Sequence, residues 1–402
     1  MADKVVLAYS GGLDTSVAIR WLQEHYDVDV VTLTIDLGGE GDLTGVKEKA
    51  LKIGAVAAYV EDARERFVRE FVFPALQANA LYEGVYPLAT ALGRPLIAER
   101  LVAIAKQEGA TAVAHGCTGK GNDQVRFDVC TQALAPELKV IAPAREWDMT
   151  DRSVEIAYAR EHGIPVPVTV DKPYSMDANL WGRSIEGGML EDPQQEPPDD
   201  IYTLTKAVQE TPEEAAYVRI GFKEGVPVSL DGESLGSIEL IERLNVLAGE
   251  HGVGRIDHLE NRLVGIKSRE VYEAPAAMVL IQAHQGLESM TLSRDQMRFK
   301  AKVAQEYAEL IYNGLWFTAM RGDLAAYVTS TQRYVTGSVR VRLHRGASVV
   351  VGREAKASLY QTRLSTYGDD DVFDHSAAEG FIHVWGLPVR TEAQARKDQQ
   401  AD

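Results

Sequence analysis

Two cysteines in 402 residues, Cys117 and Cys130, leave no disulfide framework and fit a reducing compartment. Cations are also scarce: 42 Lys and Arg stand against 59 Asp and Glu, for a net charge of −17. Duplex or transfer RNA binding wants a basic face that displaces counterions, so this balance argues against a nucleic-acid partner. No apolar run approaches the length of a membrane span, and Met1-Ala2-Asp3-Lys4 passes into a strand-like run without a secretory apolar region. A cytoplasmic protein with no membrane partner is expected. With 45% hydrophobic and 25% charged residues the composition is that of a globular chain, and the length suggests two domains plus a terminal extension.

What is present starts at residue 8. Ala8-Tyr9-Ser10-Gly11-Gly12-Leu13-Asp14-Thr15-Ser16 follows the apolar run Val5-Val6-Leu7, and helical spacing returns over 17–21. The glycine pair therefore sits at a strand-to-helix turn. Adjacent glycines let backbone N–H groups approach an anion, Ser10, Thr15 and Ser16 add hydroxyl donors, and the first helical turn offers unpaired N–H groups at its positive end. Polar crowding at the carboxyl end of a strand points to a phosphate-bearing nucleotide. The segment lacks both the lysine of a Walker loop and the three spaced glycines of a dinucleotide fingerprint. A plain tight turn with Asp14 as a helix cap is the alternative.

Over 1–165 strand-like segments (5–9, 28–35, 56–60, 112–115, 140–142) alternate with helix-like ones (15–25, 44–53, 65–80, 96–107, 123–133, 152–162). That alternation predicts an α/β domain with a doubly wound parallel sheet. Proline-rich stretches at 164–173 and 192–200 read as a domain crossover. From 166 to 365 the pattern becomes α+β: hairpin strands at 217–222 and 226–230 followed by a tight turn at Asp231-Gly232, helices at 238–248 and 296–311, and a hairpin at 339–343 and 349–351 across Arg345-Gly346. Residues 366–402 mix acids, an apolar piece at 381–385 and a charged end; such a tail packs on a neighbouring subunit or frays.

A second glycine run follows the strand at 112–115: His115-Gly116-Cys117-Thr118-Gly119-Lys120-Gly121-Asn122-Asp123-Gln124-Val125-Arg126. Two such loops at strand carboxyl ends can flank one crevice, one holding phosphates and the other the reacting groups. The first loop resembles the pyrophosphate loop of the N-type ATP pyrophosphatases, which have the adenine nucleotide alpha hydrolase-like fold. Alone it leaves amidating synthetases and transfer-RNA thiolases open. The second run is similar to the signature of the argininosuccinate synthase family. Further matches lie at Ala80-Leu81-Tyr82-Glu83, Pro173-Tyr174-Ser175-Met176-Asp177, His251-Gly252-Val253-Gly254-Arg255, Glu260-Asn261-Arg262 and Gly265-Ile266-Lys267-Ser268-Arg269.

The resemblance implies ATP-dependent joining of citrulline to aspartate with release of AMP and pyrophosphate, in a homotetramer whose tail crosses between subunits. By resemblance, ATP lies against Ala8, Tyr9, Ser10, Gly11, Gly12, Leu13, Asp14, Thr15 and Ser16, with Ile35 near the adenine and Gly116 near the ribose or α phosphate. Citrulline meets Tyr86, Asn122, Arg126, Ser175, Ser184, Glu260 and Tyr272; aspartate meets Thr118, Asn122 and Asp123. Asp14, Ser10, Thr15 and Asp123 carry the positioning and electrostatic roles. Magnesium is expected on the phosphates, although no carboxylate cluster in the sequence marks a dedicated metal cage. Taken one at a time, these residues have plainer readings: Asp14 and Asp123 sit where helix caps sit, Arg126 suits a solvated helix face, Glu260 suits a surface pair with Arg262, and Cys117 suits a small filler.

The family pattern has Tyr-Leu-Leu-Gly-Thr-Ser where this chain has Tyr86-Pro87-Leu88-Ala89-Thr90-Ala91, so one serine hydroxyl is absent at Ala91. The glycine and acid residues at 39–42 are expected to form a solvent-facing loop. Loss of one neutral hydrogen bond costs about 1 kcal/mol. Replacing Ala91 with Ser is therefore predicted to change the Michaelis constant for citrulline by less than roughly tenfold; a larger change would refute the account.

Overall fold

The computed structural model describes residues 3–39, 43–149, 151–165 and 174–400. The expectations for residues 40–42 and for the proline stretch at 166–173 lie outside the described residues. Near the N-terminus, β1 (Lys4–Ala8), β2 (Asp29–Asp36), β3 (Ala57–Asp62), β4 (Ala112–Ala114) and β5 (Lys139–Ile141) pair in parallel in the order β3-β2-β1-β4-β5. Val5, Val6, Leu7, Val30 and Val31 are completely buried, as parallel strands covered on both faces require. The order grows outward from β1 in both directions, which opens a crevice at the carboxyl ends of β1 and β4. Both glycine runs leave those two ends, into the helices Leu13–Tyr26 and Asn122–Leu134.

Two helices differ from expectation because of proline. The segment expected as one helix over 65–80 is Arg64–Phe67, a π turn at Val68–Val72, then Phe73–Ala78. Pro74 has no N–H for the carbonyl four residues back, and the widened turn ends just before it. The helix expected from 96 runs Ala89–Glu108 with Pro95 inside it. Burial of Leu92, Leu96, Leu101 and Ile104 outweighs the one lost backbone bond. That longer helix packs on β1 and also on β6 (Ser175–Asn179) and β7 (Gly182–Glu186). Asn179 donates to Ala89 O at 2.7 Å, and the Trp181 indole donates to Pro87 O at 2.9 Å, tying the β6–β7 turn to the helix start.

Beyond these come β8 (Ala216–Lys223), β9 (Val226–Leu230), β10 (Glu233–Ser234), β11 (Arg255–Asn261), β12 (Lys267–Glu273), β13 (Gly337–His344) and β14 (Ala347–Ala355). They make two antiparallel sheets, β11-β12-β7-β6 and β10-β9-β8-β13-β14. Asp231-Gly232 joins β9 to the short β10, while β8 and β9 turn at Glu224-Gly225, both at positive φ. The helices Ser237–Glu250 and Arg294–Tyr312 extend the expected ones, and Pro275–Thr291 and Ala319–Gln332 are additional. Met1–Ala357 forms one compact unit and Ser358–Asp402 another. In the second, Asp374 caps the helix His375–Trp385 through Ser376 N and Ala377 N, and a further helix, Leu387–Gln400, follows.

Gly254 opens β11 at φ +114, where a Cβ would stand 2.6 Å from Pro275 Cα. An alanine there carries both a left-handed strain and a backbone clash. Gly254→Ala is predicted to cost about 2 kcal/mol or more in urea unfolding; an unchanged midpoint would show that the helix Pro275–Thr291 can yield.

Candidate functional site

A cavity of about 620 Å³, within the usual range for a small-molecule site, lies at the carboxyl ends of β1, β2 and β4 and against one face of the β11-β12-β7-β6 sheet. The first loop lines one end. Gly12 stands at the N-cap of the helix Leu13–Tyr26, and no side chain caps it. Asp14 is thus not a cap; its side chain is exposed and lines the cavity. Ser10 Oγ lies 3.1 Å from Thr15 Oγ1 and accepts from Gly12 N at 3.3 Å, while Lys49 Nζ donates to Gly11 O at 2.6 Å. The turn therefore leaves helix-start N–H groups and two hydroxyls facing open space, as an anion site requires.

Ala8, Tyr9, Ser10, Gly12, Leu13, Asp14, Thr15, Ile35 and Gly116 all line the cavity. Gly11 and Ser16 do not. The Ser16 hydroxyl is fully buried, 3.2 Å from the Tyr9 hydroxyl, so it supports the loop from behind. Gly11 sits at φ +80, with the Val46 side chain 3.5 Å from where its Cβ would be.

The other end is built by register. Successive side chains on a strand point to opposite faces, so residues two apart share one face. Tyr272 pairs with Ser184 and Ser184 with Asp177; Ser175, Glu186 and Glu270 lie two residues along the same strands. With Glu260 on β11, these side chains face the cavity together. Tyr86 stacks on Tyr272 with ring centroids 4.1 Å apart, and its hydroxyl lies 2.8 Å from Thr90 Oγ1. Ala91 is buried away from the cavity lining, and Thr90 lines it.

Burial changes the plain readings of the charged residues. Arg126 is 3% exposed: its Nε donates to Tyr312 O at 2.9 Å, its guanidinium lies 4.8 Å from the Tyr312 ring centre, and Nη1 meets Asp123 Oδ1 at 2.8 Å. One Arg126 nitrogen, Nη2, is buried without a partner among the described residues. Arg94 joins Asp123 at 2.7 Å and also pairs with Asp177. Burial pushes the Asp123 carboxyl up, yet Arg94 and Arg126 overcome it and hold the group down at about 2. Glu260, 2% exposed, accepts from the Tyr272 and Tyr312 hydroxyls, each at 2.5 Å, rather than pairing with Arg262. Arg262 instead binds Glu270 at 2.7 Å and Glu186. Burial and then Glu186 push the Glu270 carboxyl up to about 8.

Asn122 donates to the Tyr312 hydroxyl at 2.7 Å and accepts from Leu263 N at 2.9 Å, linking the second loop to the β11–β12 turn. Thr118 lines the rim, exposed. Burial raises the pKa of the Cys117 thiol, which removes it as a nucleophile, and both cysteines are free. Arg94, Asp177, Glu186, Glu270 and Tyr312 were missed by motif reading. Arg94 precedes Pro95, where the helix was expected not to have begun, and Tyr312 is one residue beyond the helix expected at 296–311.

A doubly wound α/β domain with two glycine loops at its switch point, closed over by an antiparallel sheet, defines an adenine-nucleotide enzyme of the HUP class with a second domain. The chain belongs to the argininosuccinate synthase family: residues 4–165 match the Arginosuccinate synthase N-terminal HUP domain, and 174–392 the Arginosuccinate synthase C-terminal domain. It is 60% identical over 395 residues to the argininosuccinate synthase of Rubrobacter xylanophilus, covering 98% of this chain and 96% of that one. The identity is 58% over 394 residues to that of Dehalococcoides mccartyi strain BAV1 (98% and 97% covered) and 57% over 401 residues to that of a Synechococcus species (100% and 99%).

Glu155 belongs to the helix Arg152–Glu161, and burial, then the negative charge of Asp14, raise its carboxyl from 4.5 to about 8. A raised folded pKa stabilises fully below 4.5, and that stability is lost as pH rises through about 8. The melting temperature of the protein is predicted to fall more between these pH values than that of a Glu155→Gln variant; parallel curves would rule out the raised Glu155 carboxyl.

Proposed function

We propose that this cavity performs the reaction of the argininosuccinate synthase family: ATP-dependent ligation of L-citrulline to L-aspartate through a citrullyl-adenylate, giving argininosuccinate, AMP and pyrophosphate for arginine biosynthesis. The observation that carries the reading is that one cavity gathers the uncapped first loop, the second loop and the acid- and tyrosine-lined sheet face. A ureido carbonyl is a poor electrophile because both its nitrogens donate into it. Its oxygen must first become a leaving group, which attack on the α phosphate of ATP achieves.

The residues divide accordingly. Helix-start N–H groups near Leu13, with Ser10 and Thr15, receive the negative charge that develops as pyrophosphate departs; Asp14 orients it, and Ile35 flanks the adenine. Arg126 engages the citrulline carboxylate through its unpartnered nitrogen, and Glu260 takes the ammonium alongside Tyr86, Asn122, Ser175, Ser184 and Tyr272. Asp123, kept ionised by its arginines, orients the aspartate amine, with Thr118 and Asn122 holding that substrate. No covalent nucleophile enters; positioning and fixed charge supply the rate. Among the described residues no group of three or more His, Cys, Asp or Glu could hold a metal. Magnesium would be carried by the phosphates, with Asp14 as the first loop's carboxylate on the cavity wall, and would neutralise charge on the pyrophosphate.

A cytoplasmic homotetramer completes the proposal. Among the described residues no helix is long and apolar enough to cross a membrane. Phe381, Ile382, Val384 and Trp385 on the helix His375–Trp385 are all more than 60% exposed, which supports a tail that packs on another subunit. Incubation with ATP, magnesium, citrulline and aspartate is predicted to release AMP, and to stop doing so when citrulline is omitted. Asp14→Ala is expected to abolish most of that release with an unchanged circular dichroism spectrum; near-normal turnover would deny Asp14 its role, and no AMP from the unaltered protein would refute the reaction.

A further inference from the structure

We infer that His115 is a positioning residue whose Nδ1 lone pair latches the second glycine loop against the first. The inference rests on the reaction assigned above. His115 directly follows β4, is 1% exposed and lines the cavity, although no motif gives it a part in the chemistry. The backbone N–H of Cys117 points at its Nδ1 at 3.2 Å. A backbone N–H can only donate, so Nδ1 must carry the lone pair and the proton of the neutral ring must sit on Nε2. Nε2 in turn faces Asp128 Oδ1 at 2.9 Å. The tautomer is thus set from both sides.

Asp128 is itself held. Arg145 Nη1 reaches its other oxygen at 2.9 Å, and the same guanidinium nitrogen donates to Gln124 Oε1 at 3.4 Å. Gln124 Nε2 then donates to Gly119 O at 2.5 Å, so the far side of the loop hangs on the same relay. The Phe127 ring stacks on the imidazole with centroids 5.2 Å apart and keeps it from swinging. The consequence reaches the first loop. The tight His115-Gly116-Cys117 turn brings Gly116 so close to Thr15 that a Cβ would lie 3.1 Å from Thr15 Cγ2. His115 therefore sets the gap between the two loops, where the nucleotide and the incoming amine must meet.

A matched pair of polar variants separates the two ring nitrogens. Asparagine places its carbonyl near Nδ1 and keeps the Cys117 bond while losing Asp128; glutamine places its amide N–H near Nε2 and keeps Asp128 while losing Cys117. His115→Asn is expected to stay within about threefold of the parent in kcat/KM. His115→Gln is expected to raise KM for both ATP and aspartate about tenfold or more, with KM for citrulline changed less than about threefold. Equal losses in the two variants, or loss in Asn alone, would overturn the latch. Nitrogen-15 NMR of the unaltered protein reads the tautomer directly. A ring protonated at Nδ1 would overturn the latch whatever the variants do, whereas failure of AMP release in the unaltered protein would strike the reaction and leave the Nε2–H tautomer standing.

Discussion

A carboxylate held between two arginines organises the rest of this protein. Asp123 belongs to the helix after the second glycine loop, Arg94 to the helix that bridges the parallel sheet and the β6–β7 hairpin, and Arg126 to the Asp123 helix itself. Arg94 continues to Asp177 on β6, and Arg126 to the Tyr312 carbonyl at the end of the helix Arg294–Tyr312. Arg126 is buried and Arg94 and Asp123 are partly so, and charges drawn out of water in this way are tolerated only when paired. The network therefore demands that the parallel domain and the antiparallel sheet meet in one arrangement, and the cavity lies where they meet.

The same pairing gives the cavity its polarity. At the end nearest β1 the helix start presents backbone N–H groups and hydroxyls to the cavity, an arrangement suited to an anion. At the opposite end three glutamates, Glu186, Glu260 and Glu270, share a single arginine, Arg262, and two tyrosine hydroxyls. An excess of carboxylate invites a cation, and burial and the neighbouring Glu186 raise the Glu270 carboxyl to about 8. Between the two ends stand Asp123 and the partnerless nitrogen of Arg126, fixed rather than mobile charges. Fixed charge costs no reorganisation as charge shifts during reaction.

Much of this is legible in the sequence alone. The βαβ alternation announced the parallel sheet, because buried parallel strands are continuous apolar runs that stand out between amphipathic helices. Both glycine runs announced their loops, since local chemistry at a strand end suffices to mark an anion site. Proline misled: Pro95 hid the first turns of the Ala89–Glu108 helix, and with them Arg94, while Pro74 hid a π turn. The four-stranded sheet that carries Ser175, Asp177, Ser184, Glu186, Glu260, Glu270 and Tyr272 was invisible, for its strands are polar on the cavity face and show no apolar alternation to read.

By itself the sequence determined the fold class, the two glycine loops and the family to which the chain belongs. These rest on neighbours along the chain, where backbone conformation and side-chain type act locally. Only the tertiary structure decided which charges are paired: that Asp123 and Asp14 do not cap their helices, that Arg126 and Glu260 are buried rather than solvated, and that His115 holds a loop. The partners lie far apart in sequence, Arg94 with Asp177 and Glu260 with Tyr312, and the strength of a charge pair depends on burial and distance, which exist only once the chain has folded.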